Sequence, residues 1–115
     1  MRFGRFELDI FSDGTFKIDG GAMFGVVPKV LWSKHKEADD LNRVTMDMTC
    51  VLIRSADHVV LVETGAGSKL TEKQRGIYGI ERPPALLDEL AKRGVKPEDV
   101  TLVVNTHLHF DHSGG

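Results

Sequence analysis

The stretch Thr106-His107-Leu108-His109-Phe110-Asp111-His112-Ser113-Gly114-Gly115 places three histidines and one aspartate within six positions. It follows an apolar run, Leu102-Val103-Val104, that reads as a buried strand. Imidazole nitrogen and carboxylate oxygen are common ligands of Zn²⁺ and similar divalent ions. A strand that ends at such a cluster holds the ligand backbone on a rigid element. His107 and His109 are two apart, so in an extended backbone they share one side, and Leu108 turns the other way, toward a core. Asp111 and His112 come where the chain begins to turn, within reach of an adjacent position. The Gly114-Gly115 pair permits a tight turn or a close backbone approach. A lone histidine is a weak signal for a metal; this compound spacing is a strong one.

Upstream of that stretch the pattern alternates strands and helices. Pro83 to Arg93 reads as a helix, with proline in its first turn, Leu86, Leu87 and Leu90 on one face, and Lys92-Arg93 at its C-terminal end. Gly94 suits the residue just past that end, with Val95 packing back on Leu90. Ser68 to Tyr78 holds room for a short helix. His58 to Glu63 is a strand apolar on both faces, which suits cover on both sides. It runs into Glu63-Thr64-Gly65-Ala66-Gly67. Arg43 to Arg54 is a long strand of period two: Val44, Met46, Met48, Cys50 and Leu52 share one face. Cys50 therefore reads as a small buried thiol, since no neighbouring base would activate it. Arg5 to Ile18 reads as a hairpin, with Phe6, Leu8 and Ile10 alternating and Ser12-Asp13-Gly14 as its turn. Ser33 to Asn42 is a polar connection, and His35 within it has no ligand pattern.

One segment resists both periods. Asp19 to Trp32 is apolar yet broken by glycines and a proline, so it reads as neither a regular helix nor a strand. Either it plugs the core, or Met23, Phe24 and Trp32 wall a substrate pocket, because pockets are mostly apolar.

Composition narrows the classes of function. A chain of 115 residues, 41% hydrophobic and 28% charged, is ordinary for a globular domain. A formal net charge of −2 argues against a general nucleic-acid surface, which needs clustered Lys and Arg. No apolar run approaches a membrane span, and Met1 to Ile10 lacks the apolar core of a signal peptide. The single cysteine fits a cytoplasmic location.

The run His107-x-His109-x-Asp111-His112 resembles the H-x-H-x-D-H signature of the metallo-β-lactamase superfamily, and the wording NTHLHFDHSGG looks most like its lactonase and esterase-like hydrolases. The resemblance implies an α/β fold, a four-layer αββα sandwich of two similar halves, of which residues 1–115 would be the N-terminal half ending in the metal-binding loop. It implies two Zn²⁺ or other divalent ions per intact domain, His107 and His109 binding the first, Asp111 and His112 the second. Asp111 would also orient the metal-bound hydroxide that attacks the substrate. Further ligands would come from outside these residues, and the piece alone would be inactive. Glu63 stands where the superfamily usually has the Asp of Asp-Thr-Gly, so it would support the ligands from behind at one methylene's greater reach. The Asp19–Trp32 segment resembles the N-terminal loop that borders the active site in lactonase-like members. His109 argues for hydrolysis, because the iron-containing redox branch carries an acid there.

The expected function is thus opening of a lactone or ester, with a small-molecule substrate resembling an acyl-homoserine lactone, and no nucleic-acid or membrane partner. The alternatives are a glyoxalase II-like thioester hydrolase, or a catalytically incomplete half that needs a second polypeptide or pairs as a homodimer.

Overall fold

A computed structural model describes all 115 residues, Met1–Gly115. Its single five-stranded sheet has the spatial order β1-β2-β3-β4-β5. These are Arg2–Phe3, Phe6–Asp19, Arg43–Arg54, Val59–Val62 and Leu102–Val104. The first four pair antiparallel, and β5 runs parallel to β4. Five short helices punctuate the chain: α1 Gly20–Phe24, α2 Lys29–Trp32, α3 Glu72–Tyr78, α4 Leu86–Lys92 and α5 Phe110–Ser113. Parallel pairing brings the carboxyl ends of β4 and β5 to the same edge, and the two loops that leave there meet.

The period-two strand stands as read, Arg43–Arg54, with Val44, Met48, Cys50 and Leu52 buried. Met48, Cys50 and Leu52 supply the middle of two packed clusters on one sheet face. Phe11, Cys50, Leu52 and Leu61 pack with Leu90 of α4 and Val95. Phe16, Met48 and Ala66 form the second cluster, against which Met46, Leu70, Ile80 and Phe110 lie. The end of α4 is the Schellman arrangement expected: the Val95 amide donates to Leu90 O at 3.0 Å and the Gly94 amide to Ala91 O at 2.9 Å. Leu90 and Val95 are both buried as a result.

Several expectations are corrected. The hairpin over Arg5–Ile18 is instead one strand, β2, interrupted by a bulge between Ser12 and Thr15; the turn lies earlier, between β1 and β2. The physical reason is Asp13. Its side chain is not a turn's solvated acid but is buried, with Ala66, Arg82 and Leu86 as hydrogen-bond partners. The bulge adds one residue to β2, so Phe11 before it and Phe16 after it face the same side. That leaves Ile10, read as part of the inward set, 61% exposed. The α4 helix starts at Leu86, past both prolines, and its free Leu86 amide is taken by Asp13 Oδ1 at 2.7 Å. The irregular Asp19–Trp32 segment folds into α1 and α2, because Asp19 Oδ1 accepts from the Gly21 and Ala22 amides at 2.8 and 3.1 Å and starts a helical turn.

β5 is exposed rather than buried, and β4 is covered on one face only. On the open face, two cross-strand rows are wholly aliphatic: Leu8–Ile53–Val60–Leu102 and Ile10–Val51–Val62–Val104. The apolar pattern of both strands is thus written for two covered faces, of which these residues themselves supply one.

Candidate metal centre

The site begins at Glu63, the residue after β4. Its backbone has φ of +66°, a left-handed conformation that is uncommon for a residue with a long side chain. This turns the chain out of the strand and leaves the buried carboxylate against the loop that follows β5. Glu63 Oε1 accepts the Thr106 amide at 2.7 Å, and Oε2 lies 2.9 Å from His112 Nδ1. Burial pushes the Glu63 carboxyl up, but the bonds from Thr106 and the neighbouring His112 outweigh it and hold the group below its ordinary range.

Thr64 continues the grip. Its amide donates to His112 O at 2.8 Å, and its Oγ1 accepts from the Gly115 amide at 3.1 Å. Gly65 O then accepts the Gly114 amide at 2.9 Å. At Gly67 the backbones come closest: a Cβ there would fall 2.0 Å from Gly114 O, and φ is already +66°. The turn after β4 thus cradles the His-rich loop by main chain and one acid.

Within the loop, the His107 and His112 rings lie 4.0 Å apart between centroids, and His107 and His109 4.7 Å. His112 Nε2 is 3.1 Å from Asp111 Oδ2. In the tautomer that donates Nδ1–H to Glu63, Nε2 presents a lone pair toward that carboxylate. Two acceptors at this distance need a proton on Nε2 or a cation shared by both. The donor chemistry suits a divalent cation. The geometry is incomplete, for no group of three or more His, Cys, Asp or Glu side chains is placed to hold one ion. Leu108, expected to turn inward, is 82% exposed, because the chain leaves β5 before reaching it and no layer lies over that side.

The loop is anchored by a residue that pattern reading passed over. Phe110 stacks on Tyr78 at 4.2 Å and meets Phe16 edge-on at 5.4 Å. Its aromatic character inside the histidine run was the available signal. Asp13 and Arg82 were also missed, and Ser12-Asp13-Gly14 has the composition of an ordinary turn.

The pocket candidates Met23, Phe24 and Trp32 come together. Phe24 stacks on Trp32 at 4.7 Å, and all three line a cavity of about 360 Å³ with His35, Lys36 and Met46. Trp32 is 6% exposed and packs onto Gly20, as a plug would. None of His107, His109, Asp111 or His112 lines that cavity. Met46 joins it to the cluster that holds Phe110.

Residues 47–115 match the family model of the metallo-beta-lactamase superfamily. The chain belongs to that superfamily. A probable metal-dependent hydrolase from Staphylococcus aureus superimposes over 100% of the chain and 42% of its own, with TM-score 0.91 and 37% identity. A dizinc quorum-quenching lactonase, solved with the product N-hexanoyl-L-homoserine, covers 100% of this chain and 37% of its own at TM-score 0.72 and 26% identity. Among curated relatives, an N-acyl homoserine lactonase of Bacillus cereus is 26% identical over 64% of this chain and 34% of its own. A probable metallo-hydrolase of Mycobacterium tuberculosis is 32% identical over 82% of this chain and 35% of its own. The chain therefore spans about a third of these curated relatives and about two fifths of the solved structures. No helix is long and apolar enough to cross a membrane.

Proposed function

We propose that this chain supplies the first part of a divalent-metal centre in a hydrolase that opens a lactone or ester, with an acyl-homoserine-lactone-like substrate favoured. The observation that carries the reading is His112, oriented by Glu63 at 2.9 Å and facing Asp111 across 3.1 Å, with His107 and His109 in ring contact beside it. His107 and His109 would hold one ion, Asp111 and His112 a second, with Zn²⁺ the first choice for imidazole and carboxylate donors. The chemistry such ions supply when bound is activation of water and polarisation of a carbonyl oxygen.

The chain's own residues set up the rest. Glu63 fixes the His112 tautomer, so that Nε2 keeps its lone pair. Asp111, besides serving as a ligand, would orient the attacking hydroxide. Met23 and Phe24 would take an acyl chain, and Trp32 would form the floor beneath them. The lactonases among the relatives favour a lactone over a thioester. Two imidazoles are fewer than the three protein ligands of a typical catalytic zinc site, so the activity is that of the whole domain, with further ligands from outside these residues.

The test uses the full-length protein: metal content by elemental analysis, then turnover of hexanoyl-homoserine lactone against a glutathione thioester. About two ions per chain and preference for the lactone are expected. A preparation that carries no divalent metal, and gains no activity when Zn²⁺ is added, would overturn the reading. Preference for the thioester would move the substrate class to the glyoxalase II kind.

A further inference from the structure

We propose that Asp13 is a positioning residue for the metal loop, acting with Arg82 through the Gly65–Gly67 turn. The proposal rests on the metal-centre reading above and adds to it a pair of residues more than 50 positions away from the turn on one side and 15 on the other.

Asp13 sits in the β2 bulge with 2% of its surface exposed. Its Oδ2 accepts from the Ala66 amide at 3.2 Å and from Arg82 Nη2 at 2.5 Å, and its Oδ1 takes the Leu86 amide. Arg82 returns along the same route: Nε donates to Asp13 O at 3.1 Å and Nη1 to Gly67 O at 3.0 Å. The turn after β4 is therefore held at both Ala66 N and Gly67 O from the side of β2. The same turn carries the loop, through Gly65 O to the Gly114 amide and Thr64 Oγ1 to the Gly115 amide.

A Cβ on Gly65 would fall 2.1 Å from Asp13 Oδ2, and a Cβ on Gly67 2.0 Å from Gly114 O. The carboxylate and the histidine loop thus both press on the same three residues. No sheet partner fixes residues 65–67, and two of them hold left-handed backbone angles, φ +65° and +66°. Besides the burial of Ala66 and the bond to Gly114, what holds them is this pair of side chains. A carboxylate this deeply buried is costly unless its lone pairs are filled, and here the Ala66 amide of the turn that the loop rests upon fills them together with Arg82 Nη2 and the Leu86 amide.

The experiment compares the full-length wild type with Asp13→Asn and Arg82→Lys. Asparagine keeps one acceptor but offers no second one, and lysine keeps the charge but loses the fork that spans Asp13 and Gly67. In the metal-free proteins, amide exchange at Gly114 is expected to rise about tenfold or more relative to Cys50 in the β3 ladder. Co²⁺ titration is expected to show affinity about tenfold weaker or more in both variants. Exchange that speeds up uniformly, or a lower Tm with Gly114 exchange and Co²⁺ affinity unchanged relative to wild type, would assign the pair to general stability and overturn the proposal. Should Asp13→Asn not fold, Arg82→Lys decides by the same readouts. A wild type that binds no Co²⁺ removes the metal-centre reading, while the Gly114 exchange comparison still decides whether the clamp exists.

Discussion

Glu63 reaches His112 Nδ1 at 2.9 Å from a backbone held at φ +66°, and with its other oxygen it binds the Thr106 amide at the start of the same loop. One acid therefore sets both the path of the loop and the orientation of a ring within it.

Glu63→Gln separates these two tasks. The amide oxygen can still accept from Thr106, but the NH₂ facing His112 Nδ1 forces the ring to place its proton on Nε2. The fold should survive, while metal affinity of the full-length protein falls about 10- to 100-fold. Competition against a chromophoric chelator reads the affinity, and ¹⁵N shifts of the imidazole read the tautomer. Unchanged affinity with the tautomer switched would remove His112 from the ligand set.

Phe110→Ala removes the ring lodged between Phe16 and Tyr78. Because Phe110 is only partly buried, the loss should be about 2 kcal/mol, below the usual range for a core phenylalanine. Urea unfolding measures it. The same variant should raise protease sensitivity within the His107–Gly115 stretch before the sheet is affected.

Gly67→Ala places a methyl group where Gly114 O already stands, in a left-handed backbone that alanine resists. The turn or the loop must move. A cost of at least about 1 kcal/mol is expected from the backbone angle alone, together with weakened metal binding. Gly94→Ala, at φ +70° but with no atom within 4 Å of the new methyl, is the control: it should cost similar stability and leave metal binding unchanged.

Cys50 is fully buried, and burial pushes its thiol up to about 12, with the Asp13, Glu63 and Asp47 charges adding to the effect. Its pKa is raised in the folded state, so the stabilising contribution is present below the ordinary value of 9.0 and is lost as pH rises from there toward about 12. Alkylation at pH 8 should be negligible in the native protein and fast in urea. Rapid labelling of the native state would mean that β3 is open at its centre.

Much of this molecule could be read from residue order where one period ran unbroken. The β3 strand, the α4 Schellman end and the buried Cys50 follow from local pattern alone. The histidine loop was legible because its ligand types sit within six positions. What escaped depended on partners distant in the chain. Ser12-Asp13-Gly14 has turn chemistry, and only Arg82, Ala66 and Leu86 turn it into a bulge with a buried acid. Likewise the apolar composition of β5 is that of a covered strand, while the cover is not among these residues. Phe110 could not be assigned without Tyr78 and Phe16 beside it.

Between Ser12 and Thr15, β2 advances three residues while β3 advances two, from Thr49 to Asp47. The two halves of β2 are therefore in different reading frames of the pleat. Deleting Asp13 would close the bulge into an unbroken ladder with Thr15 still opposite Asp47 and Phe16 opposite Met46, so the pleat would survive while the buried carboxylate that meets the Ala66 amide would be lost. The residue that breaks the ladder is thus the one that reaches the Gly65–Gly67 turn, and the histidine loop far along the chain rests on that turn.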